Sequence, residues 1–428
     1  MESGYEVLKN RGFIEQVTDD ALIEQQFAGG PVTCYIGFDP TATSLHIGSL
    51  VPIMALTHMQ KTGNRPLALV GGGTGLIGDP SGKTEMRQVL TREQIDYNVQ
   101  CLGRQLSRYI DFSEGKALLL NNADWLTKIN YIEFLRDIGR HFSVNRMLAA
   151  ESYKMRLEKG LNFIEFNYML LQGYDFLYLF QRYGCALQMG GNDQWGNMLA
   201  GTELIRKVEA KDAHALTFPL ITTSLGQKMG KTEKGTVWLD AELTSPYDYY
   251  QYWVNCDDAD VVRFMKLFTF LPLEEIDAAA GLKDAKLNMA KAVLAYEATK
   301  ISHGTQAAVA AWRASMEAFH SRPVEEDLFP SSDIPRQIPD ADTSAIARYK
   351  VSAGDIEDGL LIASLCARGG LTNSMSEAKR LIAQGGVYMG ERQVKSADEK
   401  LAFDDFGGAN ELRLRRGKKK YLIVEKES

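Results

Sequence analysis

Residues 34–60 read CYIGFDPTATSLHIGSLVPIMALTHMQ. The opening residues are apolar or small, the pattern of a strand buried on both faces. From Leu45 to about residue 61 the apolar positions recur at helical spacing. Between the two lie Asp39, Pro40, Thr41 and Thr43, then His46 beside Gly48. Where a strand delivers the chain into a helix, backbone amides are unpaired and the helix dipole is positive, which makes a natural anion site. Gly48 has no side chain, so a flat ring could lie against the backbone there. A nucleotide fits that description, and so does a plainly capped helix. The segment alone leaves both open.

The pattern recurs. PLALVG (66–71) and CALQMGG (185–191) also read as buried strands running into glycine, and helical patterns occupy 93–111 and 131–141. This repetition predicts an α/β fold, a parallel sheet wrapped by helices. Ligands in such folds sit at the carboxyl ends of the strands. Residues 259–320 read as helical. The segment 321–344, with four of the twelve prolines and several acids, reads as linker. Beyond it, Ser374 with Glu377 predicts a capping box, and Gly385–Gly386 predicts the helix end. VYMGERQV and LRLRRGKKKYLIV then read as two hairpins.

A chain of 428 residues is expected to form two or three domains. No apolar run approaches a membrane span and no secretory signal opens the sequence. The five cysteines are scattered, which suits a reducing, cytoplasmic setting. With no CxxC and no HExxH, no metal site is expected. Net charge is −7, against a nonspecific nucleic-acid binder, and neither DNA nor a membrane is an expected partner. The total conceals a basic cluster, RLRRGKKK (413–420), within a C-terminal part that carries 13 Lys and Arg against 11 Asp and Glu.

Two glycine motifs mislead when taken alone. GTGLIG (73–78) matches a dinucleotide fingerprint, but that fingerprint must open a helix, and Asp79–Pro80 disfavours one. GDPSGKT (78–84) lacks the first glycine of a phosphate-wrapping loop, since Ile77 stands there. A surface loop carrying Lys83 and Arg87 is the better reading.

KMGKT (228–232) changes the balance. Two lysines around Gly230, paired with HIGS (46–49) at the start of a parallel α/β domain, resemble the two signatures of class I aminoacyl-tRNA synthetases. YIGFDPTATSLHIG (35–48), GGGTGLIGDPSGK (71–83), FNYMLLQGYDF (166–176), GGNDQWGN (190–197) and SPYDYYQYWVN (245–255) sharpen the resemblance to the bacterial-type tyrosyl-tRNA synthetases, over about residues 5–424. The C-terminal pattern resembles the S4-type RNA-binding module of that family.

The resemblance implies a Rossmann-like catalytic domain at 1–225 with a connective insertion at about 105–165. A helical domain with the KMGKT loop would follow at 226–320, a linker at 321–353 and an S4-like domain at 354–428. It implies that tyrosine is activated by ATP, accompanied by Mg²⁺, to tyrosyl-adenylate and pyrophosphate, and then transferred to tRNA(Tyr). The tyrosine carboxylate is already an anion, so no general base is needed and catalysis rests on positioning and charge stabilisation.

Thr41 and His46 would hold the departing pyrophosphate from one side, and Lys228, Lys231 and Thr232 from the other. Lys83 and Arg87 would form a second clamp. Asp79, Tyr168 and Gln172 would surround the ammonium group, with Gln194 near the carboxyl, and Tyr35 and Asp175 would meet the phenol. Gly37, Gly48 and Gly191 would let the nucleotide approach the backbone. Asp193 would bind ribose, and Asp39 would lie between the two substrates. Phenylalanine would be rejected because it leaves buried polar groups unpaired.

Ser49 stands where many relatives have a second histidine, Ile36 where some have cysteine, and Gly230 where the signature has serine. A homodimer is expected, with 120–160 apolar enough to supply an interface. The alternatives are a tryptophanyl-tRNA synthetase and a catalytically silent, RNA-binding relative.

Overall fold

The computed structural model describes residues 2–79, 90–150, 153–154, 157, 160–222, 224, 226, 229–232, 235–319, 322–337, 347–390, 392–407, 409–416 and 420–426. The chain forms two compact units, Met1–Arg336 and Gln337–Ser428.

The first unit is built on a six-stranded sheet: β1 (Gln16–Val17), β2 (Thr33–Phe38), β3 (Arg65–Val70), β4 (Leu118–Asn121), β5 (Leu187–Gly191) and β6 (His214–Phe218), in the order β1-β6-β5-β2-β3-β4. All neighbours are parallel except β1, which runs antiparallel to β6 at the edge. β3, RPLALV, is buried at every position but its first, as expected of a parallel strand covered on both faces. From β2 the chain passes to β3 on one side and later to β5 on the other, so the sheet's topological switch lies between β2 and β5. Tyr35 and Gln188 face each other there in register. The crevice beyond the carboxyl ends of these two strands is where a ligand site is expected.

The expected helix at 45–61 begins later, as a 3-10 turn Ile47–Ser49 followed by the helix Leu50–Lys61. The 259–320 region is helical but broken, with helices Val261–Phe268, Leu273–Ala278, Asp284–His303 and Thr305–Phe319. These helices share one continuous apolar core with β2, β3, β5 and β6, so the chain does not divide near residue 225. Nor are residues 322–336 of the expected 321–353 segment free linker; 338–346 lie outside the described residues. Val324, Phe329 and Ile334 are buried in that same core. The Arg336 guanidinium donates to the carbonyls of Glu325, Leu328, Phe329 and Ser332, which satisfies an irregular backbone without any regular element.

The second unit begins before residue 354. β9 (Ala347–Val351) pairs in parallel with β13 (Lys420–Lys426) at the edge of a five-stranded sheet. β10 (Val387–Met389) pairs antiparallel with β11 (Arg392–Gln393), and β12 (Glu411–Arg416) with β13, as the two expected hairpins require, and together they complete the order β11-β10-β12-β13-β9. This unit has its own core, around Leu365, Leu414 and Leu422. The helix Met375–Ala383 starts at Ser374, whose hydroxyl accepts from Glu377 N at 3.2 Å. The expected box is half made. The Glu377 carboxylate turns instead to Asn373 N, at 2.8 Å, and to Arg416.

Candidate active site

A cavity of about 880 Å³ opens at the carboxyl ends of β2, β3 and β5. Tyr35, Gly37, Asp39, Thr41, His46, Gly48, Ser49, Asp79, Tyr168, Gln172, Asp175, Gly191, Asp193 and Gln194 all line it. Lys83, Arg87 and Lys228 lie outside the described residues. Lys231 and Thr232 are described only in their backbone, as β7 (Lys231–Thr232), which pairs with β8 (Gly235–Thr236).

His46 caps the 3-10 turn, its Nδ1 accepting from Gly48 N at 3.0 Å. A neutral imidazole that accepts at Nδ1 carries its proton on Nε2, so the ring presents a donor. A Cβ at Gly48 would lie 2.8 Å from His46 Cε1, so the histidine's own ring occupies that space. A Cβ at Gly37 would meet nothing within 4 Å among the described residues. Ser49 makes no capping bond, and Ile36 is buried.

A chain of hydrogen bonds crosses the cavity floor. Tyr168 Oη donates to Asp39 at 3.3 Å, and Thr74 Oγ1 donates to Asp39 Oδ1 at 3.2 Å. Asn122 Nδ2 reaches Thr74 Oγ1 at 3.0 Å and Asp175 Oδ2 at 2.9 Å. Trp125 Nε1 donates to Asp175 Oδ1 at 2.7 Å, its ring stacked on Tyr178. Asn122 Oδ1 is itself fixed by Gly73 N. Asp175 is 2% exposed, and burial pushes its carboxyl up to about 7 while Asn122 and Trp125 pull it down. The Tyr35 hydroxyl is raised well above its usual range, by burial and then by Asp175. It is buried with no hydrogen-bond partner among the described residues, as is Gln188 Oε1. Buried polar groups are ordinarily paired, and both of these residues line the cavity.

On the opposite wall Gln194 Nε2 donates to Asp79 Oδ2 at 2.6 Å and Asp193 Oδ2 at 3.0 Å. Asn197 Nδ2 donates to Gln172 Oε1 at 2.9 Å. Tyr168, Gln172 and Asp175 occupy successive turns of one helix, Phe163–Tyr183, which is why all three reach the cavity. Among the described residues no group of three or more His, Cys, Asp or Glu is placed to hold a metal.

Sequence reasoning missed Thr74, Asn122, Trp125, Gln188 and Asn197. LLLNN (118–122) is an apolar run, but it ends in asparagines rather than in the glycine that marks the other junctions, so nothing in it singles out Asn122.

A family model described as tRNA synthetases class I (W and Y) matches residues 28–320. A protein of Syntrophus aciditrophicus named tyrosine–tRNA ligase is 61% identical over 100% of both chains. The chain belongs to the bacterial-type tyrosyl-tRNA synthetases. A second relative of this synthetase, the tyrosine–tRNA ligase of Desulfosudis oleivorans, is 56% identical over 98% of this chain and 99% of its own. Among solved structures, a C-terminally truncated mitochondrial tyrosyl-tRNA synthetase of Aspergillus nidulans matches with a TM-score of 0.67 and 31% identity, covering 74% of this chain and 95% of that one. A tryptophanyl-tRNA synthetase of Encephalitozoon cuniculi, at 14% identity and a TM-score of 0.54, shares the fold.

Proposed function

We propose that this synthetase activates L-tyrosine with ATP in the cavity described above and then esterifies tRNA(Tyr). The observation that carries the specificity is the buried Tyr35 hydroxyl, without a hydrogen-bond partner among the described residues, beside the Asp175 carboxylate. A phenol placed between them accepts from one and donates to the other. Phenylalanine offers neither and leaves both groups desolvated, at a cost of about 1–3 kcal/mol for each unmade bond. This argues against the tryptophanyl alternative, since an indole has no hydroxyl to offer.

In the first step a tyrosine carboxylate oxygen bonds to the α-phosphorus of ATP, and the bond to pyrophosphate breaks. Asp79, Tyr168 and Gln172 hold the ammonium group, and Gln194, already bonded to Asp79, directs the carboxyl. Asp39 bridges towards the nucleotide through Tyr168 and Thr74. Asp193 binds ribose, and Gly37 and Gly191 admit the nucleotide to the backbone. Thr41, the Nε2–H of His46, Lys228, Lys231 and Thr232 neutralise the charge that grows on the leaving pyrophosphate, assisted by Lys83 and Arg87. Mg²⁺ would accompany ATP and offset part of its phosphate charge, without a dedicated set of protein ligands among the described residues. In the second step the 3′-terminal ribose hydroxyl of tRNA attacks the adenylate carbonyl and AMP departs.

The second unit is read as an S4-like RNA-binding module. Lys379 and Arg380 on one helix, and Arg415 lying 3.8 Å over the Tyr388 ring, support phosphate and base contacts. Exposed apolar side chains along 119–164, with Ile132 at 70% and Phe163 at 67%, support a homodimer interface. The five free cysteines support a reducing, cytoplasmic setting. Amino-acid-dependent ATP–pyrophosphate exchange tests the reading, with tyrosine, phenylalanine and tryptophan in parallel. Exchange with tyrosine alone is expected. Exchange with tryptophan would overturn the pocket assignment, and no exchange from folded protein would favour the silent RNA-binding relative.

A further inference from the structure

Three side chains outside the cavity converge on the segment that carries KMGKT. Asp260 closes the 3-10 turn Asp258–Asp260 and is 3% exposed. Its Oδ2 accepts from Ser224 N at 2.8 Å, and its Oδ1 accepts from Arg263 Nη2 at 2.9 Å. The same guanidinium nitrogen donates to the Thr222 carbonyl. Tyr252, on the helix Pro246–Val254, accepts from Gly230 N at 3.4 Å. None of the three lines the cavity.

The other side of the segment rests on the HIGS turn. Ile47 N donates to Val237 O and Leu239 N to Leu45 O, both at 2.9 Å. Gly230 has φ +89°, and a Cβ there would lie 2.9 Å from Ile47 Cγ2. The Gly230 carbonyl in turn accepts from Val237 N at 3.0 Å. Gly230, immediately before Lys231, is therefore held between the HIGS turn and a helical side chain.

A buried carboxylate is costly unless it is paired and hydrogen-bonded. Asp260 has two partners, and one is a backbone amide of this segment. Moving that amide away removes a bond from a buried charge. The Tyr252 contact, at 3.4 Å, is longer than the usual 2.9–3.0 Å of an N–H···O bond. One tie thus fixes the base of the segment, and the other grips its centre lightly.

We propose that Asp260, Arg263 and Tyr252 are positioning residues for adenylate formation, setting the placement of Lys231 through the backbone at Thr222, Ser224 and Gly230. This rests on the proposed role of Lys231 at the leaving pyrophosphate. The test is tyrosine-dependent ATP–pyrophosphate exchange by the full chain carrying Asp260→Asn, Tyr252→Phe or Lys231→Ala, and by each double variant with Lys231→Ala. Both positioning variants should lower kcat roughly 3- to 12-fold, the scale of one lost hydrogen bond, with KM for tyrosine unchanged. In the Lys231→Ala background the same substitutions should change kcat less than about 2-fold, because they act through the lysine already removed.

An equal fold-loss in both backgrounds would show a merely structural role and overturn the proposal. So would wild-type kcat in both single variants while Lys231→Ala is slow. Should Asp260→Asn fail to fold, Tyr252→Phe, which keeps the ring, decides alone. If Lys231→Ala itself exchanges at the wild-type rate, the reading of Lys231 falls first and this proposal with it.

Discussion

Trp125 Nε1 donates to Asp175 Oδ1 at 2.7 Å, while Asn122 holds the other carboxylate oxygen at 2.9 Å. Asp175 thus faces the cavity already oriented by two donors from the segment that follows β4. Both bonds favour the anion and oppose the burial that raises its pKa.

Trp125→Phe keeps an aromatic ring against Tyr178 and deletes the donor. The Asp175 pKa should rise further, so less of it is anionic at pH 7. A hydrogen bond to a charged group is worth about 1.5–3 kcal/mol, so kcat/KM for tyrosine should fall by about 10-fold or more. The ascending limb of its pH profile should move to higher pH. An unchanged profile would mean that Trp125 only fills space.

The same carboxyl affects stability. Its folded pKa, about 7, lies above the ordinary carboxylate value of about 4, so the folded state holds its proton more tightly. That contribution is fully present below about pH 4 and is lost as pH rises through 7. An asparagine at this position does not titrate. The stability of Asp175→Asn relative to the wild-type chain should therefore improve from pH 4 to pH 8, by up to about 4 kcal/mol, whatever fixed cost its amide incurs against Asn122. Urea unfolding without substrates, across that range, measures it. A flat difference would show that Asp175 titrates normally.

Much of this architecture is written locally. Strand runs ending in glycine depend only on backbone periodicity, so the parallel sheet is legible in the sequence, whereas Tyr168, Gln172 and Asp175 are marked as site residues by the family resemblance and their spacing adds only that one helix carries them. Trp125 and Asn122 are not, because their bonds to Asp175 span fifty residues and arise only when β4 takes its place in the sheet. The 321–344 segment deceives for another reason. Its prolines and acids look like linker, but Val324, Phe329 and Ile334 are buried and one guanidinium satisfies the turn carbonyls. Side chains there do the work of a regular element, and composition does not register that.

Gly48→Ala should act through His46. A methyl group at 48 would lie 2.8 Å from the imidazole Cε1, so the ring must leave its cap on Gly48 N. Exchange by Gly48→Ala should fall to about the level of His46→Ala, and the double variant should lose little more, since both remove one placement of one ring. Additive losses would mean that Gly48 contributes separately, for example by admitting the nucleotide to the backbone.

Truncation should be made after Arg336. A cut at residue 353 would leave β9 behind, stripped of its partner β13 and exposing an unpaired edge. Ending at Arg336 keeps the guanidinium that ties the last turn of the first unit and removes the second sheet whole. The shortened chain should retain tyrosine-dependent exchange within about 2-fold, because every cavity-lining residue lies in the first unit. Aminoacylation of tRNA(Tyr) should be lost. Titrating salt in the aminoacylation assay of the full chain should weaken apparent tRNA affinity steeply, the mark of phosphate contacts from basic side chains. Retained aminoacylation by the shortened chain would remove the second unit from the RNA-binding role, and loss of exchange as well would make it a support for the first.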